Sequence, residues 1–118
     1  MVSDYKVVFY SAEDGYSQAM DYLAALPEKH EAKAKKWLEL LQENGPDLPR
    51  PYADLVEREL RELRVGIEHH QHRFMYAIKG KKIVVLSAFL KKTDAIPRQE
   101  IDRARRRLQD WTRREELQ

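Results

Sequence analysis

The segment spanning residues 60–90 constrains the fold more than any other part of the chain. Leu63, Val65 and Ile67 alternate with polar residues, which is the period expected of a strand with one buried face. Two nearly continuous apolar runs follow, RFMYAI and IVVLSAFL, separated by the hairpin sequence KGKK. Such runs are typical of central strands that are covered on both faces. The segment therefore predicts three consecutive strands, Leu60–Ile67, Arg73–Ile78 and Ile83–Leu90, with a turn or bulge at Gly66 and the HHQH cluster.

The sequence before this segment predicts one further strand and two helices. Tyr5–Tyr10 is rich in β-branched and aromatic residues, as strands are. Apolar residues recur at helical spacing over Ser17–Leu26 and from Pro27 to about Glu43, where Asn44-Gly45-Pro46 is a stop signal. Asp47–Asp54 contains two prolines and is interpreted as a surface loop.

Two helical stripes are predicted to be core. One belongs to the second helix, and the other belongs to a last helix that begins near Pro97, a residue favoured in the first helical turn. The order β-α-α-β-β-β-α in 118 residues predicts a single domain over residues 1–118. We expect an α+β fold in which the helices lie on one face of a mostly antiparallel sheet of about four strands. The stripes are Ala34, Trp37, Leu38 and Leu41, and Ile101, Ala104, Leu108 and Trp111.

Charge is distributed unevenly along the chain. Residues 1–57 carry 6 Lys/Arg and 11 Asp/Glu, a net −5, whereas residues 58–118 carry 16 and 9, a net +7. This asymmetry indicates that the second half meets a polyanion, although solvated helices alone often carry such charge. The chain lacks cysteine, an uncharged run long enough to span a membrane and an apolar leader, so we expect a cytoplasmic protein with no membrane contact.

Four cations stand where the predicted strands begin or end: Arg64, Arg73, Lys91 and Lys92. Arginine offers a planar fork that matches phosphate oxygens, and lysine acts as a compact point charge. Held on neighbouring strands, the four would surround one phosphodiester and stabilise a transition state that gains negative charge. Two other interpretations stay open. Arg64 pairs with Glu62, or the lysines protect a sheet edge from aggregation.

The histidines His69, His70 and His72 crowd into one predicted turn, and His30 lies in the second helix. Imidazoles bind transition metals, but adjacent histidines on a strand point apart and no further ligand group is evident. We expect no metal site and no cofactor. The cluster is interpreted either as solvent-exposed turn residues or as groups for RNA contact or proton transfer, because histidine titrates near neutral pH.

Two stretches of the chain resemble a known family. ELRELRV followed by HRFMYAI resembles the "LxELR…YRIxY" segment of HigB-like toxins. VVLSAFLKKTDAIPRQEIDRARRRL resembles their "LLhgFxKKTxxtPxxEIxxAxxR" segment. The similarity spans about Leu60 to Trp111, and the preceding helical pair fits the family layout. The chain is thus similar to the HigB-like branch of the RelE/ParE toxin superfamily, as a phage-derived toxin-like protein with a RelE-like fold.

The resemblance implies a toxin of a type II toxin–antitoxin system that cleaves mRNA in translating ribosomes. In this chemistry the ribose 2′-hydroxyl attacks the adjacent phosphate and expels the 5′-oxygen without a metal. By motif position, Arg73 holds the scissile phosphate, Lys92 stabilises the transition state, and neighbouring Lys91 holds RNA or transfers a proton. The base and the acid stay open. The candidates are His69, His70, His72 and Glu62.

The resemblance also implies the partners: mRNA, the ribosome and a HigA-like helix-turn-helix antitoxin. Arg64 and three arginines of the last helix, Arg98, Arg105 and Arg106, would contact RNA, unless the helical arginines form only a solvated face. RelE itself has a base-stacking tyrosine near its C-terminal end, whereas the corresponding Ile96-Pro97-Arg98 has no aromatic residue. Two other functions stay open, a ParE-like gyrase inhibitor and a non-enzymatic basic RNA-binding module.

Overall fold

A computed structural model describes residues 3–118, which form five strands and three α-helices. A short 3₁₀ turn, Gly45–Asp47, follows the second helix. In chain order the elements are strand β1 (Lys6–Phe9), helix α1 (Gln18–Ala24), helix α2 (Glu28–Asn44), strand β2 (Ala53–Glu57), strand β3 (Leu60–Ile67), strand β4 (His70–Lys79), strand β5 (Lys82–Leu90) and helix α3 (Arg98–Glu116).

The strands form one sheet in the order β1-β5-β4-β3-β2. Strand β1 runs parallel to β5, and all other neighbours are antiparallel, which confirms the predicted α+β class and its mostly antiparallel sheet. The predicted count of about four strands was too low, because Ala53–Glu57 is a fifth strand at the edge beside β3. Pro49 and Pro51 precede this strand and remove no donor from its ladder, so they do not prevent it.

Helices cover both faces of the sheet, which corrects the expectation that they lie on one. Helices α1 and α2 pack on the face that carries Phe74 and Tyr76, and α3 packs on the face that carries Met75 and Ala77. These four residues alternate along β4, so each face needs its own apolar cover. The continuous apolar run in β4, predicted to be covered on both sides, is explained by this three-layer arrangement.

The hairpin between β3 and β4 turns at Glu68 and His69, both of which have positive φ (49° and 68°). Two central residues in this conformation, between the paired residues Ile67 and His70, are the signature of a type I′ turn. The turn lies within the predicted region, which ran from Gly66 through the HHQH cluster, but Gly66 itself belongs to β3. His70 and His72 belong to strand β4 rather than to the turn.

The stripe of α2 is only partly core. Ala34, Leu38 and Leu41 are buried as predicted, but Trp37 is half-buried at the rim of the helix. Helix α3 buries Ile101, Ala104 and Leu108 and leaves Trp111 half-buried. Within residues 3–118, none of the helices combines the length and the apolar character needed to cross a bilayer.

Candidate functional site at one end of the sheet

The sheet brings together the cations that sequence spacing only placed at strand ends. Arg64 of β3 lies opposite Arg73 of β4, and Arg73 lies opposite Phe89 of β5. One row further, the backbone N–H of Lys91 donates to the carbonyl of Gln71 at 2.8 Å. Arg64, Arg73 and the start of the Lys91-Lys92 pair therefore meet at one end of the sheet.

Arg73 and Arg64 share the carboxylate of Glu62. Arg73 Nε lies 2.8 Å from Glu62 Oε1, and Arg64 Nη2 lies 3.4 Å from Glu62 Oε2 and 3.3 Å from Asp54 Oδ2. The side chains of Arg73 and Glu62 are each only 7% exposed. By alternation along β4, this group faces the α3 side of the sheet, opposite to Phe74. We call Glu62, Arg64 and Arg73 the arginine cluster.

The two guanidiniums of the arginine cluster are paired to different degrees. Nε of Arg73 and Oε1 of Glu62 form a close ion pair at 2.8 Å whose N–H is not aimed along the line between the atoms, whereas Nε of Arg64 is buried without a hydrogen-bond acceptor within residues 3–118. Burial lowers the pKa of Arg73 and the charge of Glu62 opposes that shift, but a guanidinium stays charged at neutral pH. The carboxylates of Glu62 and Asp54 offset the two guanidiniums, so the positive charge at this end of the sheet depends also on Lys91 and Lys92.

Lys91 and Lys92 follow the last residue of β5 at the same end of the sheet. Lys91 is half-exposed and Lys92 is exposed. Among the salt bridges of residues 3–118 neither ammonium group takes part in one, unlike Lys79 and Lys82 at the other end, which pair with glutamates. The two lysines are therefore available to an external anion.

A cleft of about 350 Å³ opens beside the arginine cluster. Its rim includes Lys33 of α2, whose ammonium group donates to the carbonyl of Gly66. The wall is a mixture of cations, amide groups and aromatic rings. The lining residues are Lys33, Trp37, Pro51, Tyr52, Arg64, Gly66, Gln71 and Arg73.

His72 belongs to a separate chain of hydrogen bonds on the opposite face of β4. Its Nδ1 lies 2.7 Å from the hydroxyl of Tyr22, and its Nε2 lies 2.8 Å from Nδ1 of His30. Nε2 of His30 lies 3.1 Å from Oε1 of Glu68 in the turn. His30 and His72 are 5% and 3% exposed. We call Tyr22, His30, Glu68 and His72 the histidine chain, and it fastens the β3–β4 turn to helices α1 and α2.

The surroundings of His72 and Tyr22 favour the neutral forms of these two side chains. Burial lowers the pKa of His72, and the charges of His30, His70 and Arg73 lower it further. Burial also raises the pKa of Tyr22 to about 12. Since the central contact joins two ring nitrogens, one proton must lie between His30 and His72.

This arrangement divides the candidates for proton transfer. His72 faces away from the arginine cluster, and Glu62 lies within that cluster as the partner of both arginines. His69 and His70 are exposed, and His70 Nδ1 lies 3.0 Å from the carbonyl of Glu68. Over residues 3–118, no three His, Cys, Asp or Glu side chains are grouped so that they could hold a metal ion.

Sequence reasoning missed the partners of His72, which are Tyr22 and His30. Both contacts join residues more than forty positions apart, so they cannot be predicted from the spacing of residues in the sequence. The only available signal was that His70 and His72 share one face of a strand, which requires the turn to be placed correctly.

Two of the three helical arginines named as RNA contacts are occupied within the protein. Arg98 makes a two-pronged contact with Glu57 at 2.9 and 3.1 Å, and Arg105 donates to the same carboxylate at 3.0 Å. The bonds from Arg98 and Arg105 lower the pKa of Glu57 to about 2. Arg106 is exposed and makes no salt bridge within residues 3–118. These pairs connect α3 to the edge strand β2.

The fold and the site define a small α+β protein with a cationic, phosphate-compatible sheet end. Residues 21–109 match the model of the phage-derived Gp49-like proteins (DUF891), and the chain belongs to that family, which is related to the RelE/ParE-type toxins. The match includes all of the arginine cluster, Lys91, Lys92 and the histidine chain. A comparison with curated proteins gave no match.

Proposed function

We propose that this chain is the HigB-like toxin of a type II toxin–antitoxin system and acts as a metal-independent, ribosome-dependent mRNA endonuclease. The observation that carries the proposal is the placement of two guanidiniums on paired strands, Arg64 and Arg73, at the same end of the sheet as Lys91 and Lys92. Guanidinium and ammonium groups held together on a rigid sheet match the oxygens of a phosphate.

The proposed chemistry is transfer within the RNA itself. The 2′-hydroxyl loses its proton to a base and attacks the adjacent phosphorus, while the 5′-oxygen leaves and takes a proton from an acid. Arg73 holds the scissile phosphate, and Arg64 binds the same backbone. Lys92 stabilises the charge that develops on the phosphoryl oxygens, because a preplaced cation costs no reorganisation during the reaction.

Proton transfer is proposed to involve Lys91 or the exposed turn residue His69. The position of His70 and His72 on the face of β4 that carries His30 argues against contact with the reacting atoms. Glu62 positions Arg73 and Arg64 through its two ion pairs. The proposed partners are mRNA, the ribosome and a HigA-like helix-turn-helix antitoxin, and the proposed location is the cytoplasm.

The experiment combines purified protein with ribosomes programmed with mRNA and maps the cleaved ends. The test variant is the double substitution Lys91→Ala, Lys92→Ala, which changes two unpaired surface lysines and spares the core. We expect cleavage to fall by about 10²-fold or more, the loss typical of removing charge stabilisation from a transition state.

The matched control is Lys29→Ala, Lys36→Ala on helix α2, which removes the same charge from two exposed lysines that make no salt bridge within residues 3–118. It should cleave as the unmodified protein does. If both doubles lose activity equally, net charge alone matters and the site is wrong. Intact mRNA together with DNA damage in expressing cells would instead favour a gyrase inhibitor, and no effect on either would favour a non-enzymatic RNA-binding module.

A further inference from the structure

Two aromatic side chains line the same cleft as the arginine cluster. Trp37 of α2 and Tyr52, which precedes β2, have ring centroids 5.6 Å apart with planes inclined by 57°. Both rings are half-buried, so each has one part in the protein and another part at the cleft. Trp37 therefore forms part of a surface wall, although its position in the apolar stripe of α2 predicted a core residue.

Three cations line the same cleft as the two rings. The ammonium of Lys33 lies 5.0 Å from the centroid of the Trp37 ring and also donates to the carbonyl of Gly66. Arg64 and Arg73 line the cleft as well, and the side chain of Arg64 is 32% exposed. A ligand with a flat apolar part and an attached anion would satisfy both features of the cleft.

A nucleotide has these two parts. Aromatic side chains stack on bases of any identity because every base has a π-face, and guanidinium groups match phosphate oxygens. The cleft volume of about 350 Å³ also lies within the range of about 300–1,000 Å³ found for small-ligand pockets.

We propose that Trp37 and Tyr52 form a base-stacking subsite for one unpaired RNA nucleotide whose phosphate lies against Arg64 and Arg73. The inference rests on the proposed function and names where the substrate's base goes. It also assigns a base-binding role to residues outside the segment 96–98, which contains no aromatic ring. Because stacking reads no hydrogen-bond pattern, the subsite tolerates any base.

The test uses the fluorescence of Trp37 itself. In a Trp111→Phe background Trp37 is the sole tryptophan, since the chain has two. The probes are a short single-stranded oligoadenylate, the same probe sealed in a duplex, and inorganic polyphosphate. We expect the single strand to quench Trp37 emission saturably, and the duplex and polyphosphate to leave it nearly unchanged.

Matched variants separate stacking from simple packing. Trp37→Leu and Tyr52→Leu keep an apolar side chain and remove the ring, whereas Trp37→Phe and Tyr52→Phe keep a ring. Because the Trp37 variants lose the reporter ring, their affinity is measured by the fluorescence anisotropy of a labelled oligoadenylate. We expect each leucine variant to bind this single strand about 5- to 150-fold more weakly, the factor that corresponds to about 1–3 kcal/mol per stacked base. The phenylalanine variants should recover most of that affinity, and thermal unfolding checks that each variant is folded.

The outcomes also distinguish this subsite from the nuclease proposal. Equal quenching by polyphosphate, or unchanged affinity in both leucine variants, overturns the stacking subsite even when mRNA is cleaved on ribosomes. Quenching by oligoadenylate but not by polyphosphate, in a protein that leaves mRNA on ribosomes intact, supports the subsite and rejects the nuclease. If a leucine variant does not fold, the quenching data and the phenylalanine variants still decide.

Discussion

Two neighbouring ionisable residues of β4, His72 and Arg73, lie on opposite faces of the strand and have different surroundings. His72 faces helices α1 and α2, where every nitrogen of its ring has a partner within hydrogen-bond distance. Arg73, the next residue, faces the other side, where it pairs with Glu62 at 2.8 Å and lines a cleft. The histidine chain joins a turn to two helices. We therefore expect the histidine chain to contribute to stability alone, and the arginine cluster to contribute to stability and, under the proposed function, to RNA binding.

Removal of Arg73 should give the largest effect on either face. Arg73→Ala leaves the buried carboxylate of Glu62 with only Arg64 at 3.4 Å. We expect a loss of about 3 kcal/mol of unfolding free energy, because breaking a buried ion pair exposes an uncompensated charge. Urea denaturation measures this loss, and the protein should also lose its affinity for single-stranded RNA.

A double variant separates the two consequences of that change. Arg73→Met with Glu62→Met removes both charges and should recover most of the stability, since apolar pairs often replace buried ion pairs at no cost. Its RNA affinity should stay low. If the double variant recovers both stability and RNA affinity, Arg73 has only a structural role. The two faces of β4 would then not differ in function.

Removal of His72 should give an intermediate effect that is confined to stability. His72→Leu leaves the hydroxyl of Tyr22 and Nδ1 of His30 without their partner. We expect a loss of about 1–3 kcal/mol of unfolding free energy, the usual cost of an unsatisfied buried group. RNA affinity at neutral pH should change little. His70→Ala, at an exposed site on the same face, should cost at most about 0.5 kcal/mol.

The histidine chain should also make stability depend on pH. Burial and the charges of His30, His70 and Arg73 lower the folded-state pKa of His72, so the unfolded chain binds its proton more readily. The stabilisation is complete above the unfolded pKa of about 6.5 and is lost as pH falls below it. Besides its two histidines, the histidine chain contains two further ionisable groups, Glu68 and Tyr22. Between pH 7 and pH 5, the midpoint temperature of thermal unfolding should fall less steeply for His72→Leu than for the unmodified protein.

The smallest expected effects concern the arginines of α3. Arg106 is exposed without a salt bridge in the part of the chain described, whereas Arg98 is held by Glu57. Arg106→Ala should therefore reduce the slope of log affinity against log salt for single-stranded RNA by about 0.7, and Arg98→Ala should leave it nearly unchanged. Binding titrations at several salt concentrations measure both slopes. Equal changes would show that the Glu57 pairs open when RNA binds.

Sequence reasoning located the sheet but not the side-chain faces at its end. The apolar runs in β4 and β5 predicted their burial directly, because no other arrangement covers both faces of such strands. Strand β2 was missed because prolines adjoin it, and its pairing with β3 is a tertiary effect. Arg64, Arg73, Lys91 and Lys92 were predicted to meet, and the sheet places them at one end.

The rest depended on one turn. Placing it at Glu68 and His69 fixes the register that sets Arg64 opposite Arg73, and a shift of one residue would send every side chain to the other face. The turn uses neither glycine nor asparagine at its two central positions, so the sequence gives no strong sign of it. The partial exposure of Trp37 was not predicted either: its ring packs against the core as the helical stripe indicated, but the stripe does not show which member lies at the rim.

The parallel pairing of β1 with β5 has a consequence for the order in which the sheet assembles. Lys6 pairs with Lys82, so β1 gains a neighbour only after a long loop has closed. Pairings over such a separation form slowly, whereas the hairpins β3–β4 and β4–β5 join consecutive segments. We therefore expect the end of the sheet that carries Arg64, Arg73 and Lys91 to form before β1 docks, so that the arginine cluster does not depend on the slowest step of folding.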